Sequence, residues 1–273
     1  MRAHQNEFSI KKMANILCAS RSGFYVLPHP KSYQEMDVLI QEVFTSNKGR
    51  YGSPRICAEL KRRGVRCSRS MIEKRMKILE LYAGKKKRKV RTTIPIQGAK
   101  DVLRRNFIAR RPNEKWCADI SYIPIRNFFA YLSVILDLYA RKVIAWELKA
   151  HMEQSLVLGT LEKALHNRPF SGELIFHSDR GSQYRANSVQ NLLISRGIQA
   201  SQGLSAYDNA VMESFFGSLK TEIMPLGKKF ISLEEANLEI FEYIEIYYNR
   251  KRLHSTLGYM SPVEYEEKKK WLA

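Results

Sequence analysis

Three carboxylates stand where an acidic side chain is hard to place without a task. Asp119 lies inside the aromatic and aliphatic run 116–122 (WCADISY), Asp179 follows the apolar run 174–177 (LIFH), and Glu213 comes early in 208–216 (DNAVMESFF). A carboxylate in the middle of a buried strand is costly unless it holds a cation or is hydrogen-bonded. Acids converging from a strand, a strand end and a helix would make a hard oxygen site suited to Mg²⁺ or Mn²⁺. Two such ions about 3.5–4 Å apart can activate a nucleophile and stabilise the leaving oxygen of a phosphodiester.

Each acid also has a plainer reading. Asp119 could face solvent on an edge strand, Asp179 could be a turn former before Gly181, and Glu213 could be a first-turn glutamate favoured by the helix dipole. Asp137 is a fourth candidate, in a context (DLYAR) that reads as a strand end. Asp208 is expected to cap the helix that carries Glu213.

The elements that must position these acids follow from periodicity. Residues 115–124, 128–136 and 142–148 are strand-like runs rich in Ile, Val, Tyr, Phe and Trp. A helix over 151–167, a strand at 173–177, a helix over 186–196, a strand at 198–201 and a helix over 208–222 come next. A long helix at 233–248 and a short one after Pro262 complete the chain. Three adjacent strands followed by alternating helix and strand predict an α/β layer with a mixed sheet.

The first two-fifths are different. Residues 1–114 carry 27 basic and 9 acidic side chains, net +18, out of +19 for the whole chain of 273 residues. A basic region joined to a balanced one suggests that the first holds a polyanion. Residues 9–27 read as two short helices, and 33–46 as a helix. Ser53 is expected to cap a helix with Pro54 at its first position, ending at Gly64. Ser68 caps the next, with Ile72, Met76 and Leu79 inward and Arg69, Lys74, Arg75 and Lys77 mostly outward. This is the helix-turn-helix pattern, and a helical hairpin with a solvated basic face would give the same spacing. The run Lys85, Lys86, Lys87, Arg88 that follows has the look of a nuclear import signal. In a DNA-binding linker such a run neutralises phosphates.

Other classes fall away. The most apolar run, 128–136, is too short to span a bilayer. No secretory leader is readable at the N-terminus. The four cysteines have neither disulfide nor zinc spacing, which fits a reducing cytoplasm, and the 44% hydrophobic content argues against disorder.

Residues 116–122, 177–184 (HSDRGSQY) and 207–220 (YDNAVMESFFGSLK) closely resemble the signature blocks of OrfB-type transposases of the insertion sequence 3 family. Residues 247–262 (YYNRKRLHSTLGYMSP) look like the C-terminal block of that core, and 51–55 (YGSPR) with the following helix pair looks like the family's helix-turn-helix. The resemblance implies a ribonuclease-H-like catalytic core with a mixed five-stranded sheet, preceded by an all-α helix-turn-helix region. It also implies Asp119, Asp179 and Glu213 as catalytic residues and metal ligands, holding two Mg²⁺ or Mn²⁺ ions. Implied partners are double-stranded DNA at the element's terminal repeats and target, a second copy of the chain, and an upstream OrfA product or fusion with it, in a bacterial cytoplasm at the nucleoid with no membrane. The expected division is a helical region at 1–32, the helix-turn-helix at 33–83, a basic linker at 84–111 and the core at 112–273. The one departure is the 33 residues between Asp179 and Glu213, slightly fewer than is usual in the family, with the shortfall at 201–207 (SQGLSAY).

Lys220, seven residues after Glu213, falls on the same helix face, within reach of a phosphate. His177 could orient DNA or pack, Asn209 could steady its loop, and Arg250, Arg252 and His254 are expected to pack or to bind the DNA backbone. The expected activity is metal-dependent strand cleavage and strand transfer at the ends of an insertion sequence. The rivals are a nuclease of the same fold and a DNA-binding regulator derived from a transposase.

Overall fold

Three of the four helix starts described in the basic region are set by serine or glycine caps. Ser9 Oγ accepts from the Lys12 amide at 3.3 Å and opens α1, Ile10–Ile16. Next are α2, Gln34–Ser46, α3, Ser53–Arg62, and α4, Arg69–Ile78. Helix α3 starts one residue earlier than expected. Gly52, in extended backbone, takes the cap position, and its carbonyl receives the Arg55 and Ile56 amides at 3.1 Å each. Ser53 is therefore a helical residue and not the cap. Ser68 does cap α4, accepting from the Met71 amide at 3.2 Å. Between these helices Gly64 takes φ +78, a left-handed value that glycine adopts without a Cβ penalty.

The computed structural model describes residues 7–18, 33–84, 101–203, 206–224 and 229–270. The second of the two short helices expected within 9–27 and the run Lys85–Arg88 lie outside the described residues. The chain forms two units, Met1–Tyr82 and Ala83–Ala273. The core of the first is Ile40, Val43, Tyr51, Ile56, Leu60, Ile72 and Met76, all buried. Helices α2, α3 and α4 supply six of these at helical spacing.

The second unit is built on a five-stranded sheet in the order β3-β2-β1-β4-β5. Its strands are β1, Lys115–Pro124, β2, Phe129–Asp137, β3, Lys142–Lys149, β4, Ile175–Ser178, and β5, Gln199–Gln202. The first three pair antiparallel, while β1, β4 and β5 run parallel, so the sheet is mixed as expected. Helix α5, Gln154–Asn167, the short α6, Ser182–Arg185, and α7, Asn187–Ser195, connect the later strands. Side chains alternate across a strand. Trp116 and Ala118 join Ile135, Ala145, Phe176, Val157, Leu161 and Leu193 in one core on the α5 and α7 face. Cys117 and Asp119 therefore point to the other face.

Helix α8, Ala210–Ile223, packs on β1, preceded by a 3-10 turn, Ala206–Asn209. Helix α9, Leu233–Phe241, continues into a π-helical stretch, Glu242–Tyr248, where one long α-helix was expected. Tyr243, Ile244, Tyr247 and Tyr248 of that stretch are all buried in the core. Helix α10, Pro262–Lys270, follows. Asn249 bonds edge strand β3 as a strand residue would: Nδ2 donates to the Val143 carbonyl at 2.9 Å and Oδ1 accepts from the Val143 amide at 3.0 Å. Residues 101–108 lie along the core as well, with Leu103 buried and the Lys115 ammonium donating to the carbonyls of Asn106 and Ile108. Among the described residues no helix is long and apolar enough to cross a membrane, and the cysteines are free thiols.

Candidate active site

The register of two parallel strands sets the geometry. Cys117 on β1 faces His177 on β4, the last row the two strands share. Asp119 and Asp179 each stand two residues beyond that row, on adjacent chains running the same way. Asp119 is half-buried and Asp179 exposed. Each turns one oxygen to nearby main chain: Asp119 Oδ1 accepts from the Ile120 amide at 2.8 Å, and Asp179 Oδ1 from the Gly181 amide at 2.9 Å. The turn-forming bond read for Asp179 is thus present.

The helix carrying Glu213 is fastened to the same strand. Asn209 Nδ2 donates to the Ala118 carbonyl at 3.1 Å, next to Asp119. Asn209 precedes the helix, which is where Asp208 was expected as the cap. Asp208 instead belongs to the 3-10 turn, and its carboxylate pairs with Arg105 Nε at 2.7 Å. An ion pair outcompetes the cap because Asp208 is buried and its charge needs a partner. Glu213 and Lys220 are half-buried on α8, two turns apart.

His177 holds this region together from below. Ser201 Oγ accepts from the Val102 and Leu103 amides at 2.9 and 3.0 Å, so its hydroxyl proton is directed to His177 Nδ1 at 2.9 Å. His177 Nε2 lies 2.9 Å from the Asp208 carbonyl, which can only accept, so Nε2 carries the proton. Burial lowers the His177 pKa, in keeping with this neutral form. Both ring nitrogens are committed, so His177 packs, and it supplies no ligand. Gly203 leaves room for the arrangement: a Cβ there would stand 2.8 Å from the Asp208 Cβ and 3.4 Å from His177 Nε2.

The donor set at this edge of the sheet is accordingly three carboxylates without imidazole or thiol, chemistry that fits a hard divalent cation. Among the described residues, the side chains are not drawn together as a finished cage of three. Adjacent parallel strands carry Asp119 and Asp179, each turned toward a main-chain amide, and the helix bearing Glu213 is tied to β1 through Asn209.

Other candidates are structural. Asp137 is fully buried and accepts from the Asn113 and Tyr139 amides and from Arg168 Nη2 at 3.2 Å; burial raises its pKa. Arg252 is buried against Glu222 of α8, with Nη2–Oε1 at 2.8 Å, and Tyr243 donates to the same carboxylate at 3.1 Å. Of the basic cluster, then, Arg252 packs; Arg250 is exposed, and the His254 ring sits edge-on to Tyr248. In the first unit Arg69 and Lys74 are exposed. Arg75, expected outward, turns inward into a two-point ion pair with Asp37 of α2, with Nε–Oδ1 at 2.7 Å. The residues that sequence reasoning missed are Ser201 and Gly203, which meet His177 across a long stretch of sequence.

Comparison with known proteins agrees with this architecture. The integrase core domain family matches residues 109–203 and again 213–269, and an HTH-like domain matches 32–89. The chain is 34% identical over 278 residues to Transposase InsF for insertion sequence IS3A of Escherichia coli (strain K12), covering 97% of this chain and 96% of that protein. It is 36% identical over 246 residues to the transposase for insertion sequence element IS904 of Lactococcus lactis subsp. lactis (strain IL1403), covering 87% and 96%. Among solved structures it is similar to the catalytic core domain of BIV integrase, at 18% identity, 59% and 97% coverage and a TM-score of 0.44. With a helix-turn-helix unit, a ribonuclease-H-like mixed sheet and this likeness along almost its whole length, the chain belongs to the insertion sequence 3 family of transposases, enzymes with an integrase catalytic core.

Proposed function

We propose that this transposase cuts DNA at the ends of an insertion sequence and joins the freed ends to a target, with Asp119, Asp179 and Glu213 as catalytic carboxylates. The observation that carries this reading is the shared register of Asp119 and Asp179 beyond the Cys117–His177 row. The Asn209–Ala118 bond, which fastens the Glu213 helix to the same strand, supports it. The three acids would hold divalent cations, Mg²⁺ or Mn²⁺, two to a site. When bound, such ions act as Lewis acids that stabilise the attacking and leaving oxygens of a phosphodiester.

The protein's own residues orient the DNA. Lys220, two helical turns beyond Glu213, meets a backbone phosphate. Arg69 and Lys74 present charge from the exposed face of α4, and the sequence run Lys85, Lys86, Lys87 and Arg88 supplies further positive charge to neutralise phosphates. In the first reaction water displaces the 3′-oxygen of a phosphodiester, leaving a 3′-hydroxyl. In the second that hydroxyl attacks a target phosphodiester and displaces its 3′-oxygen in turn. No Ser or Tyr nucleophile is needed, since the chain forms no bond to DNA. Two ends must meet, so the acting species is at least a dimer. It works in the cytoplasm at the nucleoid, with an upstream OrfA product as partner or fusion.

The test is Asp119→Asn assayed on terminal-repeat DNA with Mg²⁺. Cleavage and joining should be lost while DNA binding is kept. Joining at the normal rate would refute the site, and cleavage by the unaltered chain without transfer of pre-cleaved ends would mark a nuclease.

A further inference from the structure

Folding brings two of the four cysteines into contact. Cys57 lies in the middle of α3, and Cys67 stands just before Ser68, the cap of α4. They are ten positions apart in sequence, and their Sγ atoms are 3.8 Å apart. The Cys67 thiol also lies 3.7 Å from the Cys57 carbonyl. That carbonyl can only accept, so Cys67 donates to it and the Cys57 thiol is left to donate to the Cys67 sulfur.

The two sulfurs differ in access. Cys57 is 5% exposed, in a helix whose Ile56 and Leu60 are fully buried, whereas Cys67 is half-buried. Burial raises the Cys67 pKa, Cys57 adds to the rise, and Lys61 opposes it. The pair therefore rests as two thiols. A buried cysteine alone packs as a small apolar residue. Here a held sulfur touches one that solvent reaches, which is the arrangement that lets a second thiol resolve a bond formed on the first.

We propose that Cys57 and Cys67 form a thiol–disulfide switch in the helix-turn-helix unit, closed by a small disulfide of the glutathione type and reopened by thiols. The proposal rests on reading α4 as a helix that contacts DNA. In the first step the Cys67 thiolate, its proton lost to water, attacks one sulfur of the small disulfide. That S–S bond breaks, a mixed disulfide forms on Cys67, and one small thiolate leaves. In the second step the Cys57 thiolate attacks the Cys67 sulfur, and the other small thiolate leaves. The two leaving groups take up the two protons, so the protein gives up two hydrogens and the small disulfide becomes two thiols.

Closure moves the start of α4. Bonded sulfurs stand about 2.05 Å apart, so Cys67 must draw in toward Cys57, which the packed helix holds in place. Ser68 and Arg69 follow Cys67 directly and are exposed. They shift toward α3 with it, and the closed form meets the DNA backbone less well than the open one.

The experiment equilibrates the full-length chain in glutathione buffers from reduced to oxidised, alkylates it and weighs the peptides carrying Cys57 and Cys67. This pair should lose two hydrogens, and dithiothreitol should restore both thiols. Affinity for a terminal-repeat duplex should fall about fivefold or more on closure, and by linkage the duplex should favour the open pair by the same factor. Cys67→Ser cannot close and should bind the duplex alike in both buffers. Absence of the Cys57–Cys67 bond in fully oxidised glutathione would overturn the proposal. So would affinity unchanged by closure, or a fall that Cys67→Ser shares. Lys74→Ala in reducing buffer reports on the underlying reading: if it binds as the unaltered chain does, α4 is not the DNA contact. If it binds more weakly while closure leaves affinity unchanged, only the switch fails.

Discussion

Asn209 and Ala118 are joined by one buried hydrogen bond, 3.1 Å from Nδ2 to the main-chain carbonyl. The bond links the start of the helix bearing Glu213 to the strand bearing Asp119. Asn209→Ala removes it and leaves that carbonyl without the side-chain donor, at a cost of about 1–3 kcal/mol. The expected outcome is a fall in strand-transfer kcat well beyond what the change in melting temperature explains, with terminal-repeat binding nearly intact. Equal losses in stability and rate would show that the bond is merely structural.

Gly203 leaves the space that brings Asp208 and His177 together. A methyl group there would lie 2.8 Å from the Asp208 Cβ, and overpacking of this kind costs about 1–3 kcal/mol. Gly203→Ala should melt several degrees lower and lose activity, whereas Gly197→Ala, with nothing within 4 Å but a strained φ of +66, should keep activity per folded molecule. Differential scanning calorimetry and a joining assay separate the two.

His177 makes stability depend on pH. Burial lowers its pKa below the ordinary value of 6.5, against smaller opposing pulls from Asp101, Asp208 and Asp179. As pH falls, the unfolded chain takes up the proton before the folded chain does. The stability contributed by neutral His177 is complete above the unfolded value and is lost as pH drops through 6.5 toward the lower folded value. One such group gives a slope of at most about 1.4 kcal/mol per pH unit. Urea unfolding should therefore weaken more steeply with acid in the unaltered chain than in His177→Gln. Parallel curves would remove His177 as the cause.

Arg252 and Glu222 form a buried pair between the C-terminal block and α8. Arg252→Met leaves Glu222 buried without its ion-pair partner and should cost about 3–5 kcal/mol. Adding Glu222→Gln should recover part of that loss. Chemical denaturation of the two variants measures it, and additive losses would deny the pairing any energetic weight.

On α4 neighbouring cations divide the work. Lys74→Ala should weaken binding of any DNA sequence and reduce the salt slope by about 0.9. Arg75, locked to Asp37, should act through stability instead: Arg75→Ala lowers the urea midpoint. Binding titrations over a range of salt, beside unfolding curves, would expose the reverse pattern if the division is wrong.

The sequence was most informative where the deciding forces are local. Strand β1 runs from Lys115 to Pro124 as its apolar content indicated, and Ser68 caps α4 because the cap and its acceptor amide are three residues apart. Misreadings fall where a distant partner decides. Asp208 looked like a cap because it precedes an apolar helix, but Arg105, 103 residues away, takes its carboxylate. His177 stayed ambiguous because Ser201 and Asp208 are 24 and 31 residues off. Arg75 is outward on a helical wheel, which carries no information about Asp37. The π-helical turn at Glu242–Tyr248 reads as α-helix in the sequence because its four buried side chains, at i, i+1, i+4 and i+5, fall on one face in an α-helix as well.

The stretch 101–108 has a practical corollary for anyone isolating the catalytic half of the enzyme. Val102 and Leu103 hand their amides to Ser201, and Arg105 neutralises Asp208. A fragment started at Arg110, near the first residue that the core family matches, would discard all three donors and expose the groove that Leu103 fills. A fragment begun just upstream of Asp101 keeps them, and should be the one that crystallises.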